Sequence, residues 1–375
     1  MKLRYFSIVL IVSLLIISVF LQSNIFNRDR LKGKDPEVFV GIDVAYGDLI
    51  AIQKLIDKTS SYTNLFVIGC TGITDNATKL DEICQYACDK DLSFIVYTER
   101  RFQHQWFEDA KIRWGKRFLG FYFWDENAGK QLDLTRYRAV VEADNYTDAG
   151  NQFVQRLNRS LTYMNYAAPA ISPLFTSDYA LYWFDYKAGY DVVLAQFGWN
   201  YSRQLNVALC RGAATAQDKE WGIVITWTYA QPPYIGTGPE LYSDLVLAYE
   251  NGAKYIAVFD SDKNYTRGIL EDEHLDALRR FWIYANNNPR TSEYLSDRVA
   301  YVLPKGYGYG FRGPDDKIWG LWETDAFSLE TSIILGSKLE QYGNKLDIIY
   351  NDGISLNDTG VYTQLMFWNG TICDR

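Results

Sequence analysis

From Val38 onward the chain alternates regularly between short β-rich runs and longer amphipathic segments, and this pattern constrains its fold more than any other feature. Such alternation is typical of parallel βα units. Eight runs predict strands at 38–44, 65–70, 93–98, 119–125, 171–176, 192–197, 222–228 and 255–260. The intervening segments predict helices at 47–58, 77–90, 103–115, 132–165 (long enough for two), 178–188, 202–212, 238–251 and 272–286. Runs such as VVLAQF and YIAVFD suit strands buried on both faces, so a closed (β/α)₈ barrel of the TIM type is predicted.

A cluster of chain-breaking residues follows the eighth unit. Asn286-Asn287-Asn288-Pro289 predicts a domain boundary, with the barrel at 36–290 and a small α/β appendage at 297–375. The appendage is predicted to contain a strand at 299–303, a helix at 326–342 and a strand at 346–350. We expect it either to close one side of a cleft in the barrel or to mediate self-association, and the oligomeric state stays open.

The amino terminus has the pattern of a signal peptide or signal anchor. Within residues 1–35, an apolar stretch from Tyr5 to Leu21 follows Lys2 and Arg4, and no clear small-x-small cleavage site comes after it. We therefore expect a retained single-pass membrane anchor with an extracytoplasmic globular part, or a secreted protein if the segment is cleaved. N-glycosylation sequons, which agree with that compartment, occur at Asn76, Asn145, Asn158, Asn200, Asn264, Asn357 and Asn369.

Composition excludes several classes of function. The 38 Lys and Arg residues are outnumbered by 46 Asp and Glu residues and form no run among the aromatic residues, so nucleic acid is not an expected partner. Only two histidines and no C-x-x-C pair occur, so a zinc-dependent hydrolase, a zinc ribbon and a thioredoxin-like centre are not expected. The glycines of 305–310 lack dinucleotide-loop spacing. The five cysteines are expected to be core thiols or, outside the cell, one or two disulfides.

Carboxylates and aromatic rings follow the ends of the predicted strands, which in this fold share one opening. The carboxylates are Asp43, Glu99, Asp125, Glu126, Asp178 and Asp260. The rings are Tyr97, Tyr122, Trp124, Trp199, Trp227, Tyr229 and Tyr234. Flat rings stack on sugar faces and carboxylates bind sugar hydroxyls, so the combination favours a carbohydrate ligand. Glycoside hydrolysis also requires two carboxyl groups, one protonated and one ionised.

Structural roles and another activity compete with this interpretation. Asp43 and Asp178 precede helical segments and could act as N-caps, and the rings could belong to the core. Ser177 beside Asp178 suggests an esterase, but no G-x-S-x-G motif accompanies it. His104 and His274 lie inside predicted helices and are expected to be packing or surface residues.

Five stretches of the chain resemble known proteins. They are GFYFWDE (120–126), LFTSDYALYWFDY (174–186), FGWN (197–200), WGIVITWTY (221–229) and YVLPKGYGYGFRGPDDKIWG (301–320). With them the chain resembles the TIM-barrel glycoside hydrolases, and in particular an uncharacterised, surface-anchored glycoside-hydrolase-like group. The resemblance implies an acid/base Glu after strand 4, which Glu126 matches. It also implies a nucleophile Glu on strand 7, where Thr226 and Trp227 stand instead, and strand 6 offers only the amide Gln196.

The sequence thus predicts a glycoside hydrolase with Glu126 as general acid/base, and such an enzyme is expected to need no metal or organic cofactor. Its second carboxylate is expected to be Asp178, Asp260, Asp125 or Asp43, with Asp260 preferred and Asp178 next, at about 5–10 Å from Glu126. The expected substrate-binding residues are Asp43, Glu99, Trp124, Asp125, Trp199, Trp227 and Tyr229. The alternative is a non-catalytic glycan-binding or cell-envelope barrel that lacks the second catalytic carboxylate.

Overall fold

The computed structural model describes residues 37–99, 104–167, 173–290, 296–313, 315–352 and 360–374. From Phe39 onward the chain forms one compact unit. No helix within the described ranges is long and apolar enough to cross a membrane. The membrane anchor predicted at 5–21, the sequon at Asn357 and the first two residues of the strand predicted at 171–176 lie outside those ranges.

Eight parallel strands close into a barrel in the order β1 to β8, with β1 paired to both β2 and β8. The strands are β1 Phe39–Val44, β2 Leu65–Ile68, β3 Ser93–Thr98, β4 Phe118–Phe123, β5 Leu174–Asp178, β6 Val192–Phe197, β7 Glu220–Ile225 and β8 Tyr255–Asp260. Each overlaps the strand predicted from the sequence. The (β/α)₈ barrel is therefore confirmed.

Helices follow the strands around the outside of the barrel. They are α1 Leu49–Thr59, α2 Thr71–Thr74, α3 Ala77–Asp89, α4 His104–Trp114, α5 Asn127–Asp133, α6 Tyr146–Ala167, α7 Tyr182–Ala188, α8 Arg203–Ala216, α9 Gly238–Glu250 and α10 Asp272–Asn287. The long predicted segment 132–165 is in fact two helices, and the first begins earlier, at Asn127. Side-chain caps mark several starts: Asp48, Asn76 and Ser202 accept hydrogen bonds from the first turns of α1, α3 and α8.

The inside of the barrel is filled by side chains from alternate strand positions. This core comprises Phe39, Leu65, Val67, Ile95, Tyr122, Phe175, Val192, Leu194, Val224, Tyr255 and Ala257. The rings of Phe39 and Tyr255 stack with centroids 5.2 Å apart, and Phe175 meets Tyr255 edge-on at 4.9 Å. Because the interior is packed, a ligand has room only beyond the ends of the strands.

Beyond the barrel, residues 298–374 contain a four-stranded sheet in the order β10-β9-β11-β12 and a helix. The elements are β9 Arg298–Leu303, α11 Ala326–Tyr342, β10 Leu346–Tyr350, β11 Tyr362–Phe367 and β12 Ile372–Asp374. The first three match the predicted strand, helix and strand, whereas β11 and β12 were not predicted. Helix α8 packs directly on this sheet, since a Cβ on Gly212 would lie 2.5 Å from the carbonyl oxygen of Ile348.

The cysteines and the buried histidine have packing roles. All five cysteines lie in the described ranges and are free thiols, with Cys70, Cys84 and Cys210 buried. The expectation that cysteines are core thiols is therefore met by these three residues. His274 is buried and joins two backbone groups, the N–H of Glu271 and the carbonyl of Gly236.

Candidate active site

A cleft of about 920 Å³ opens at the carboxyl ends of the barrel strands. Its lining includes Asp43, Cys70, Tyr97, Glu99, Asp125, Glu126, Lys130, Asp133, Ser177, Tyr179, Gln196, Trp199, Tyr201, Thr226, Trp227, Phe259 and Tyr265. Six of the ten residues predicted for the site, namely Asp43, Glu99, Asp125, Glu126, Trp199 and Trp227, belong to this lining. Side chains from β1, β3, β4, β6 and β7 are thereby brought to one opening.

Asp43 lies at the floor of the cleft. It follows Phe39 and Gly41 on the inward side of β1, and it is only 4% exposed. Among the described residues its Oδ1 atom has no hydrogen-bond partner. The chain approaches closely here, because a Cβ on Gly69 would lie 2.7 Å from that oxygen. Burial, and next the charge of Asp125, raise the pKa of Asp43 to about 8, so this carboxyl is protonated at neutral pH.

Glu126 lies just beyond β4 on a strained backbone. Its φ of 56° is in the left-handed region, as is that of Trp124 at 47°, and such a conformation costs a non-glycine residue about 1–2 kcal/mol. The turn is held by β5: the Glu126 N–H donates to the carbonyl of Ser177 at 2.8 Å, and the Thr176 hydroxyl donates to the carbonyl of Trp124 at 2.6 Å. Strain held in place next to a cleft is a frequent property of functional residues.

The Glu126 carboxylate has two defined partners. Gln196 donates to its Oε1 at 3.0 Å, and the Lys130 ammonium lies 3.6 Å from its Oε2. Burial, followed by the charge of Asp125, raises the pKa of Glu126, while Lys130 and Gln196 act in the opposite direction. Gln196 also donates to the Ser177 hydroxyl, which accepts from Tyr122 at 2.5 Å. Ser177 is thus a buried link in a fixed network.

Asp125 and Lys130 form a partly exposed ion pair next to Glu126. The Lys130 ammonium lies 3.2 Å from the Asp125 carboxylate and 3.1 Å from the Asp125 carbonyl oxygen. The charge of Asp125 contributes to the raised pKa values of both Asp43 and Glu126. Lys130 was not predicted from the sequence, although its position four residues after Glu126 on a helix is the spacing that brings opposite charges together.

Asp178 lies outside the cleft lining. It is fully buried, and its Oδ2 accepts from the Ala128 N–H at 2.7 Å while its Oδ1 accepts from the Gly129 N–H at 2.8 Å. The N–H groups of Tyr179 and Ala180 also point to Oδ1. Asp178 therefore caps α5, a helix that precedes it in sequence. Burial raises its pKa to about 7, against the lowering effect of these amides.

Asp260 is also turned away from the cleft. Its carboxylate accepts from the Tyr46 hydroxyl at 3.1 Å and from the N–H groups of Ile269 and Leu270 at 2.5 and 2.9 Å. It is 2% exposed, and burial raises its pKa. These contacts tie the loop after β8 to the loop after β1. Asp178 and Asp260 thus hold the loops around the cleft, and neither lies among the side chains that line it.

The aromatic rings divide between the cleft and its supports. Trp199 and Trp227 line the cleft, and the Lys263 ammonium lies 5.6 and 5.8 Å from their ring centroids. Trp124 stacks on Phe123 with centroids 4.6 Å apart and is not among the residues that line the cleft. Tyr229 is 44% exposed and also lies outside the lining.

Opposite the tryptophans, Tyr97 lies near the end of β3 and Glu99 directly follows that strand. The Tyr97 hydroxyl donates to the exposed Glu99 carboxylate at 2.8 Å, which fixes that carboxylate at the rim of the cleft. Tyr265, from the loop after β8, completes this part of the lining. The sequence did not single out Tyr265, because the loop places it five residues beyond the end of its strand.

Two sequons border the opening. Asn200 follows Trp199, and Asn264 lies between Lys263 and Tyr265; both asparagines are exposed. Glycans at these positions would extend from the rim beside the tryptophans. The side of the cleft formed by β1 to β5 would stay open.

Comparison with known proteins reveals no family. No family model matches the chain, and no curated protein matches it. Solved structures of similar fold include an endo-1,4-β-D-mannanase from Thermotoga petrophila, with 9% identity, 66% of this chain and 99% of that chain covered, and a TM-score of 0.44. A 3-hexulose-6-phosphate synthase from Salmonella typhimurium has 7% identity, covers 66% and 99%, and has a TM-score of 0.36. Similarity at this level assigns no function.

Proposed function

We propose that this chain is a glycoside hydrolase whose two catalytic carboxyl groups are Asp43 and Glu126. The observation that carries the proposal is the Asp43 carboxyl itself. It lies at the floor of the cleft that Glu126 also lines, and its buried Oδ1 has no hydrogen-bond partner within the described ranges. A buried polar atom without a partner costs free energy. This cost is greatest for the ionised form, so it favours the protonated carboxyl that a general acid requires.

The protonation states suggest the role of each group. Asp43, with a pKa of about 8, is the general acid that transfers its proton to the glycosidic oxygen as the bond from that oxygen to the anomeric carbon breaks. Glu126, which Gln196 and Lys130 favour as a carboxylate, attacks the anomeric carbon or takes a proton from the attacking water. Burial, and next the negative charge of Asp125, keep the proton on Asp43 by raising its pKa. No metal or organic cofactor enters this scheme.

Carbohydrate is the substrate class that the lining suits best. Trp199, Trp227 and Tyr265 present rings for the apolar faces of a sugar, and Glu99 and Asp125 can accept its hydroxyl protons. A second candidate, a glycan-binding barrel without hydrolysis, is favoured by one observation: Lys130 already neutralises Glu126 in part. Binding of oligosaccharides without release of products would support this second candidate.

The compartment is proposed on separate grounds. We infer an extracytoplasmic, glycosylated barrel behind an amino-terminal anchor, because all six sequon asparagines in the described ranges are exposed. The protein from its native source should lose mass on treatment with a peptide N-glycosidase. An unchanged mass would contradict this assignment and leave the catalytic proposal untouched.

The pH dependence of kcat/KM tests the proposed division of roles. Because the pKa of the Asp43 acid is raised in the folded state, its active form is present at low pH and is lost as pH rises through about 8. On the acid side, activity falls as Glu126 becomes protonated. We expect a bell-shaped profile on cello-, manno-, chito- and malto-oligosaccharides, provided that thermal unfolding at each pH shows an intact fold. Activity that keeps rising well above pH 8 would contradict the acid role of Asp43.

A further inference from the structure

A second aromatic surface lines the cleft on the side of β5. The rings of Tyr179 and Tyr201 are near-parallel, with centroids 6.3 Å apart and an interplanar angle of 24°. Both are half-buried and both belong to the lining. Tyr179 is wedged against α5, because a Cβ on Gly129 would lie 2.1 Å from its ring. Tyr179 is thus held in place and supports Tyr201.

Arg312, from the segment between β9 and α11, holds Tyr179 in position and does not itself line the cleft. Its guanidinium binds the two Asp133 oxygens at 2.7 and 2.8 Å and lies 5.2 Å from the centroid of Tyr179. It also contacts Asp316, which holds the side chain in one orientation. The Arg312 side chain is 10% exposed. The region after the barrel therefore supports the wall of the cleft without lining it.

Asp133 is held in position by hydrogen bonds, and part of its carboxylate is exposed to the cleft. Its carboxylate accepts from Arg312 and from the Tyr179 hydroxyl at 2.9 Å, yet its side chain is 41% exposed and lines the cleft. Burial acts to raise the pKa of Asp133, but the Arg312 guanidinium, the Tyr179 hydroxyl and the charge of Arg138 together lower it below its ordinary value. Asp133 is therefore an ionised hydrogen-bond acceptor over the whole neutral range.

The loop after β6 carries one ring of each aromatic surface. Trp199 and Tyr201 are two residues apart on that loop, and both line the cleft. Trp199 shares a cation with Trp227, whereas Tyr201 stacks with Tyr179. The loop therefore contributes Trp199 to one aromatic surface and Tyr201 to the other. The cleft volume of about 920 Å³ is at the upper end of the range of roughly 300–1,000 Å³ for small-molecule sites.

We propose that Tyr201 and Asp133 form a second sugar subsite, with Arg312 as its positioning residue. This inference rests on the proposed function and makes it more specific: the substrate is an oligosaccharide or polysaccharide that extends at least one unit beyond the bond cleaved. The Tyr201 ring stacks on that unit, and Asp133 accepts its hydroxyl protons. Tyr179 and Arg312 act only through these two side chains.

The test compares substrates of different length. The probes are cello-, manno-, chito- and malto-oligosaccharides of two to six units, together with the corresponding aryl monoglycosides. Tyr201→Ala should reduce the gain in kcat/KM from the monoglycoside to the longer chains by about two- to thirteenfold, which corresponds to the loss of an aromatic contact of roughly 0.5–1.5 kcal/mol. Tyr201→Phe should restore it. Arg312→Lys should raise KM for the longer chains with little change in kcat.

Controls separate this proposal from the catalytic one. Tyr137→Ala removes a 65%-exposed ring outside the lining and should not alter the length dependence. Calorimetric binding to Glu126→Gln measures the subsite without turnover, so it stays testable if hydrolysis is never seen. Tighter binding of longer chains that Tyr201→Ala abolishes supports the subsite. Equal effects of Tyr201→Ala on all chain lengths, or no binding by any probe, would overturn it, with thermal unfolding confirming that the variants are folded.

Discussion

Replacement of Glu126 by Gln is expected to lower turnover of a glycan substrate by at least about 10²- to 10⁴-fold, the usual contribution of an acid or base group. The amide is nearly isosteric and can still contact Gln196, but it can neither attack the anomeric carbon nor take a proton from water. Initial rates on the best probe measure the loss. Circular dichroism and thermal unfolding should show an unchanged fold, because Glu126 is partly exposed.

Asp43→Asn should show a different dependence on the leaving group. Natural glycosides need a proton on the departing oxygen, so their turnover should fall over the same range of about 10²- to 10⁴-fold. An aryl glycoside with an acidic phenol needs no such proton and should be hydrolysed at close to the normal rate, whereas Glu126→Gln should lose both activities. Glu340→Gln, on an exposed face of α11, serves as the matched control. Equal losses on both substrates would contradict the acid role of Asp43.

The largest effect on stability is expected from Asp347→Ala. Asp347 is fully buried on β10 and pairs with two buried guanidinium groups, Arg211 of α8 at 2.7 Å and Arg298 of β9 at 2.9 Å. The Tyr362 hydroxyl donates to it at 2.9 Å. Loss of this carboxylate leaves two cations in the interior, and breaking a buried ion pair in this way costs about 3–5 kcal/mol. Urea unfolding followed by tryptophan fluorescence measures the change in free energy of unfolding.

A surface ion pair provides the control for this prediction. Asp272 pairs with Lys58 at 2.7 Å, but both side chains are largely exposed, so Asp272→Ala should leave the urea midpoint unchanged. If Asp347→Ala also unfolds at the normal midpoint, the carboxylate does not connect α8 with the carboxy-terminal sheet as the contacts indicate. Activity need not be measured for this test.

The barrel could be predicted because its signal is local and repeated. Each strand is a short apolar run bounded by residues that end strands, and the eight runs alternate with helical segments. Because the pattern repeats, each predicted strand makes the neighbouring βα unit easier to recognise. The strands β11 and β12 carry a weaker signal. β11 buries only part of its surface and β12 is exposed, so neither has the apolar run that marks the barrel strands.

The directions in which the three strand-end carboxylates point follow from the alternation of side chains along a strand. Alternate residues of a strand point to opposite faces, and Phe175 and Tyr255 lie in the barrel core. Ser177 and Phe259 therefore point inward, while Asp178 and Asp260 point outward toward the helices. On β1 the same alternation places Asp43 inward, after Phe39. Position at a strand end alone does not distinguish the two faces, so it does not separate Asp43 from Asp178 and Asp260.

The rest of the cleft wall and its support by Arg312 could not be predicted in this way. Asp133, Tyr201 and Arg312 come from segments that are far apart in the chain, and their meeting depends on how the loops pack. The distance between Asp133 and Arg312 along the chain is 179 residues. No local pattern links them.

The structure of Glu126→Gln with a bound oligosaccharide tests the central claim most directly. The account predicts a glycosidic oxygen within about 2.6–3.2 Å of the Asp43 carboxyl, with the side chain at position 126 facing the anomeric carbon of the same bond. The spacing of the two groups would also give the stereochemical outcome, since retaining enzymes need about 5–5.5 Å and inverting enzymes about 6.5–9.5 Å. A sugar bound in the cleft with Asp43 out of reach of every glycosidic oxygen would contradict the account.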